Sequence, residues 1–110
     1  MKLDLTQKVE RVESFEERLG VALSGIYAVA SDEDVVHVRG EMLSRNGDTL
    51  SQSIRITATV FDDKGRVIET STDSVDKEEF FGFALFDIHL EVEAKDISRI
   101  RLHPSPRGRY

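Results

Sequence analysis

The 110-residue chain contains no cysteine, which excludes disulfides, thiolate metal centres, iron–sulfur clusters and cysteine nucleophiles. Tryptophan is absent as well, and the two prolines, Pro104 and Pro106, stand together near the C-terminus. The main uncharged run, Leu19 to Ala30, includes Gly20, Ser24, Gly25 and Tyr27 and falls short of the roughly 20 apolar residues that a spanning helix needs. No membrane insertion is expected. Met1 leads into Asp4 and a charged stretch, with no basic start and apolar block, so no secretory signal is read and the expected compartment is the cytoplasm. An extracellular setting fits only if the chain is an excised domain. Positive charge is outnumbered: 15 Lys and Arg face 21 Asp and Glu, a formal charge of −6 spread along the chain. Phosphate neutralisation over a broad surface needs clustered Lys and Arg, so no nucleic-acid partner is expected.

The length suits one domain, able to bury roughly 65% of its unfolded surface in a single core without metal or disulfide support. Residues 1–20 differ in texture from the rest of the chain. Thr6 offers a cap, Val9, Val12, Phe15 and Leu19 recur at helical spacing, and Gly20 offers a stop. Glu13 and Glu17 stand near Lys8, Arg11 and Arg18 on a solvated face. A short amphipathic helix is predicted over 6–19. The β-forming Val9, Val12 and Phe15 and the alternating Leu3 and Leu5 leave an extended arm as the alternative.

From Val21 onward, runs of β-branched and aromatic residues alternate with turn clusters about every 10 residues, the spacing of a sandwich or barrel. Six strands are placed: Val21 to Val29, Asp34 to Leu43, Ile54 to Phe61, Arg66 to Thr72, Glu78 to Val92 and Ile97 to His103. Ser31-Asp32-Glu33 reads as a hairpin turn. Val36, Val38, Gly40 and Met42 share one face of the second strand, and His37, Arg39 and Glu41 share the other. Asn46-Gly47 supplies a tight reversal. Ile54, Ile56, Ala58 and Val60 face inward against outward Arg55, Thr57 and Thr59, and Asp62-Asp63-Lys64-Gly65 closes the next hairpin with Gly65 left-handed. Ser71 to Glu79 reads as a surface connection. Pro104 and Pro106 are expected to stop the last ladder, which leaves a β domain over 21–104 and a flexible basic tail over 105–110.

The fifth strand resists simple alternation. Burying Phe80, Gly82, Ala84, Phe86, Ile88 and Leu90 turns Phe81, Phe83 and Leu85 outward, whereas the opposite parity buries Asp87 and His89. A β-bulge near Phe86, a cover from the N-terminal helix, or a cover from a second copy would each resolve this. Covering the three side chains would remove on the order of 300 Å² from water, several kcal/mol at about 25 cal/mol per Å² before association costs. Phe81, Phe83 and Leu85 are therefore the candidate binding residues.

Catalytic signals are thin. His37, His89 and His103 match no metal-ligand spacing and read as isolated surface histidines, although strands could gather them with Asp87 or Asp62. Asp32-Glu33-Asp34, Asp62-Asp63 and Glu78-Glu79 lie beside turns and lack the EF-hand pattern of oxygen ligands. The seven glycines are dispersed, with no Gly-x-Ser-x-Gly elbow and no phosphate-cradling loop. No cofactor, metal or catalytic residue is assigned. Arg99, Arg101, Arg107 and Arg109 make the C-terminal end basic and read as ordinary solubilising charge.

Val38-Arg39-Gly40-Glu41, Asn46-Gly47, the hairpin of Ile54 to Phe61 with Asp62-Asp63-Lys64-Gly65-Arg66-Val67-Ile68, Phe86-Asp87-Ile88-His89-Leu90 and Ile97 to Leu102 follow in that order. This order resembles small bacterial immunoglobulin-like sandwiches of the FxLYD type, and Phe83-Ala84-Leu85-Phe86-Asp87 spells the namesake motif with Phe in place of Tyr. The resemblance covers roughly residues 34–103 and implies an architecture, not an activity, because such domains are usually non-enzymatic modules. The expected fold is thus all-β: an antiparallel immunoglobulin-like sandwich of six or seven strands with a short N-terminal helix or arm. The expected function is a non-catalytic protein-protein interaction or structural module, with a homodimer or another protein as partner. A small metal-dependent hydrolase using His37, His89 and neighbouring carboxylates is the alternative, and a peptide bound along a sheet edge is a third option.

Overall fold

The computed structural model describes residues 3–32 and 34–107. These residues are mostly β: eight strands make two four-stranded sheets, accompanied by one short helix. The first sheet has the order β1 (Leu3–Asp4), β3 (Val21–Asp32), β4 (Val35–Ser44), β7 (Phe83–Glu91). The second has the order β2 (Val9–Arg11), β8 (Arg99–Pro106), β5 (Ile54–Phe61), β6 (Val67–Val75). Alternation drives both. Leu23, Val36, Val38, Met42, Ile88 and Leu90 from the first sheet join Ile54, Ile56, Ala58, Val60, Ile100 and Leu102 from the second in one hydrophobic cluster. Polar residues at the intervening positions meet water.

The N-terminal region combines both of its expected forms. Residues 3–11 are an arm that pairs β1 with β3 and then crosses to pair β2, in parallel, with β8, so two strands join the six read from the sequence. A 3₁₀ turn at Thr6–Lys8 makes the crossing. Thr6 does not cap the long helix; its Oγ1 accepts from the Ala28 N–H at 3.1 Å. The helix itself, α1, is Glu13–Leu19 and ends at Gly20. It packs on β8 and β3.

A parity switch exists, but in β3 and not in β7. Leu23 and Val21 are buried before it, Ala28 and Ala30 after it, and the register with β4 slips between Ser24 and Tyr27. Gly25 makes the slip possible with φ of +61°, a conformation a side chain would strain. The β4–β7 ladder, by contrast, runs without a break from Val35↔Glu91 to Leu43↔Phe83. A bulge near Phe86, one of the three ways to resolve the fifth strand, is absent from it.

Several strand limits move. Asn46-Gly47 does turn the chain, with a bridge from Ser44 to Gly47, yet the next strand belongs to the other sheet and comes after a loop. The Asp62 hairpin forms as expected, with Gly65 at φ +77°. Its Asp62 carboxylate accepts the Lys64 and Arg66 N–H groups at 2.9 Å each. Those bonds, from Arg66 first, hold that carboxyl below its ordinary range. β6 continues to Val75 through residues read as a surface connection, because Glu69, Ser71 and Asp73 are the inward positions of an edge strand, and Glu69 and Asp73 find polar partners there. β7 starts at Phe83, since Lys77–Glu79 form a 3₁₀ turn capped by Asp76. The Ser31-Asp32-Glu33 turn includes Glu33, which lies outside the described residues.

The prolines do not stop β8. Pro104 pairs with Ile56 and Pro106 with Ile54. Arg107 N–H donates to the Ser53 carbonyl at 3.0 Å, so odd residues of β8 aim their amides at β5. The even positions, including both prolines, aim the other way, where β2 covers Ile100–Leu102 and no further residue of β8. A missing N–H costs nothing at an open edge. Ser105 and Pro106 therefore belong to the sheet and not to a flexible tail, and Arg107 just beyond is tied to Ser53; residues 108–110 lie outside the described part.

Candidate functional site

β7 is an edge strand, and its two sides differ sharply. Phe86, Ile88 and Leu90 are buried, while Phe83 and Leu85 remain 58% and 74% exposed and Phe81, just before the strand, 80%. The even-in parity holds, and its consequence is an apolar surface at one end of the first sheet. Leu43, directly across from Phe83 in β4, is also exposed and extends it. Cross-strand neighbours of this kind lie about 5 Å apart at Cβ, so the side chains form one patch. Helix α1 does not cover it, because that helix lies against β8, where Phe15 meets the His103 ring edge-on at 5.8 Å.

Further along the same face the chemistry turns polar. His37 and His89 are register partners, and their rings meet edge-on with centroids 5.1 Å apart. Asp87 bridges back to β4: its Oδ1 lies 3.0 Å from His37 Nδ1 and its Oδ2 3.2 Å from Arg39 Nε. Hydrogen bonding to Tyr27 first, and the Asp87 charge second, hold Arg39 above its ordinary value. The two histidines are therefore a pair on a charged rung, not isolated surface groups. His89 has Glu91 only at 4.0 Å. Among the described residues, no set of three or more His, Asp or Glu converges on one point as metal ligands do. His103 stands apart, half-buried at the helix, with its Nδ1 unpartnered; burial first and Arg101 second push its pKa down.

The backbone edge of β7 is treated unevenly as well. The Gly82 carbonyl accepts from Ser44 N–H, so even residues of this segment face β4 and odd residues face the open side. Two of those odd amides are taken by inward-pointing acids of β6: Asp87 N–H by Asp73 Oδ2 at 3.0 Å and Glu91 N–H by Glu69 Oε2 at 3.2 Å. No side-chain acceptor among the described residues reaches the N–H of Phe83 or Leu85. The guarded half of the edge is polar and the unguarded half is apolar.

Other features are structural. A cleft of about 800 Å³ lies at the far end of β7, lined by Lys8, Asp62, Arg66, Glu93, Lys95 and others. Three of its four cations are occupied: Lys8 Nζ donates to the Ile97 carbonyl at 2.8 Å, Arg66 pairs with Asp62 and Lys95 with Glu93, which leaves Lys64. Arg99 and Arg101 are more than solubilising charge. Their guanidinium carbons stand 4.0 and 4.9 Å from the centre of the Phe61 ring and shield it. Arg99 also reaches Glu10 of β2 at 3.0 Å.

Sequence reasoning missed Glu16, which is fully buried. Its carboxylate pairs with Arg11 and accepts the Leu23 N–H at 3.0 Å, tying the arm, the helix and β3 together. The signal was present: Glu16 stands four residues after Val12 and three before Leu19, on the half-buried stripe of the helix.

Comparison with known protein families, curated proteins and solved structures returned no match. No helix among the described residues is long and apolar enough to cross a membrane.

Proposed function

We propose that this chain is a non-catalytic interaction module, an immunoglobulin-like β-sandwich akin to FxLYD-type domains, that docks a protein partner through Phe81, Phe83 and Leu85. The observation that carries the reading is their joint exposure on a strand whose opposite side is closed core. Large apolar side chains gathered on one surface mark interaction sites when nothing else covers them. Two hairpins, β3–β4 and β5–β6, and an N-terminal arm split between the two sheets support the sandwich reading.

The test is a photo-crosslinking residue, benzoylphenylalanine, placed at Phe83 and, as a control, at Ile68, with the full chain expressed in cells. Adducts at Phe83 exceeding those at Ile68 are the expected result, and mass spectrometry of the adduct identifies the partner. Equal or absent adducts at the two positions would end the reading.

The adjacency of His37, His89 and Asp87 favours a second reading, a small metal-dependent hydrolase built on that rung. Calorimetric titration with Zn²⁺ decides it: saturable binding lost in His37→Ala supports a metal site, and its absence in the wild type removes one.

A further inference from the structure

We infer that the partner at this site is a second copy of the chain, joined by antiparallel pairing of the free end of β7 with itself; this rests on the docking role proposed above. The backbone argues for it. Phe83 and Leu85 each turn both N–H and C=O toward the open side, while the next such residue, Asp87, has its N–H already taken by Asp73. A two-fold axis at Ala84 pairs Phe83 with Leu85 of the second copy, and Leu85 with its Phe83. Four inter-chain hydrogen bonds then form, and the ladder stops where the carboxylates begin.

Side chains fit the same axis. Ala84 would face Ala84 of the other copy at a pair without hydrogen bonds, where strands approach closest, at about 4.5 Å between Cα atoms. A small residue suits that position. On the outer face, Phe81, Phe83 and Leu85 of both copies gather into one apolar cluster in the isologous manner of two-fold dimers. Taking aromatic side chains at about 200 Å² each, the three leave roughly 400 Å² exposed per copy. With the paired backbone the interface reaches at most about 1,000 Å², the size of a weak, reversible association.

The absence of cysteine makes the axis directly testable. Ala84→Cys places two sulfurs opposite each other across the axis, within the roughly 4 Å Cβ separation that a disulfide requires. Mild oxidation is expected to give covalent dimer from Ala84→Cys and little from His89→Cys. Sedimentation of the wild type from about 1 µM to about 1 mM is expected to show concentration-dependent dimer. Leu85→Pro deletes an amide that β4 does not use, as Pro104 and Pro106 do in β8. It is expected to weaken the dimer at least about ten-fold more than Leu85→Ala. A wild type monomeric throughout this range, or equal cross-linking at positions 84 and 89, overturns the inference even if Leu85→Pro fails to fold. A monomer whose Phe83 photoadduct is a different protein overturns the second copy and leaves the docking role standing. A monomer without such an adduct overturns both.

Discussion

Two flanks of the molecule solve the problem of an unpaired strand in opposite ways. Beside β8, the chain lays its own arm over Ile100–Leu102, packs α1 nearby and sets prolines where an N–H would face outward. Beside β7, two β6 carboxylates silence Asp87 and Glu91, and the remaining stretch carries Phe83 and Leu85, whose amides no side-chain acceptor among the described residues reaches. Inward-pointing charge and edge proline are both known devices against unwanted pairing. Their use elsewhere on the two flanks, and not at Phe83–Leu85, makes that stretch the place where pairing is permitted.

The comparison can be broken first at the level of burial within β7. Leu90→Ala is expected to lower stability by about 2–5 kcal/mol, whereas Leu85→Ala stays within about 0.5 kcal/mol in urea unfolding below the dimer concentration. Similar losses would place both faces in contact with core and remove the patch. Next is the cover over β8. Glu16→Ala leaves Arg11 and the Leu23 N–H without their partner, and a loss of about 3 kcal/mol is expected by the same measurement. A neutral result would show that the arm and helix are not anchored through this carboxylate.

A smaller effect should come from unguarding β7. Asp73→Ala removes one hydrogen bond to the Asp87 amide, costing about 1 kcal/mol, and lengthens the stretch open to pairing. Its dimer should be tighter than that of the wild type in sedimentation; unchanged affinity would mean the carboxylate does not limit the ladder. The smallest is a pH effect on the β8 flank. His103 has a folded pKa below the ordinary 6.5, so it is neutral in both states at high pH and adds nothing there. As pH falls through the unfolded value, the unfolded chain takes up the proton more readily and the fold loses stability. His103→Asn should flatten that part of the stability profile between about pH 7 and pH 5, read by thermal melts.

Much of this is legible in the residues. The alternation in Val36–Met42 and Ile54–Val60 marks the core faces, and Phe81, Phe83 and Leu85 stand out because burying them would also bury Asp87 and His89. What escapes depends on contacts distant in sequence. Phe61 is buried by arginines of another strand, and the His37–His89 pair exists through the β4–β7 register, which no local pattern sets. Ser71 and Asp73 look like a loop until β7 supplies an amide for Asp73. Gly25 holds a readable signal: the apolar phase changes across it from odd to even, as a bulge demands. The prolines of β8 hold none, since whether a missing amide matters depends on which neighbour the strand turns it toward.

The arm that closes the β8 flank has a temporal consequence. Glu10 and its partner Arg99 are 89 positions apart, so during synthesis β2 must wait, unpaired, until β8 has emerged. Contacts of such long range slow folding. The sealing of that margin by a strand made long before its partner is then a late step, and a nascent chain stalled before residue 99 would present the ribosome's surroundings with a half-built sheet.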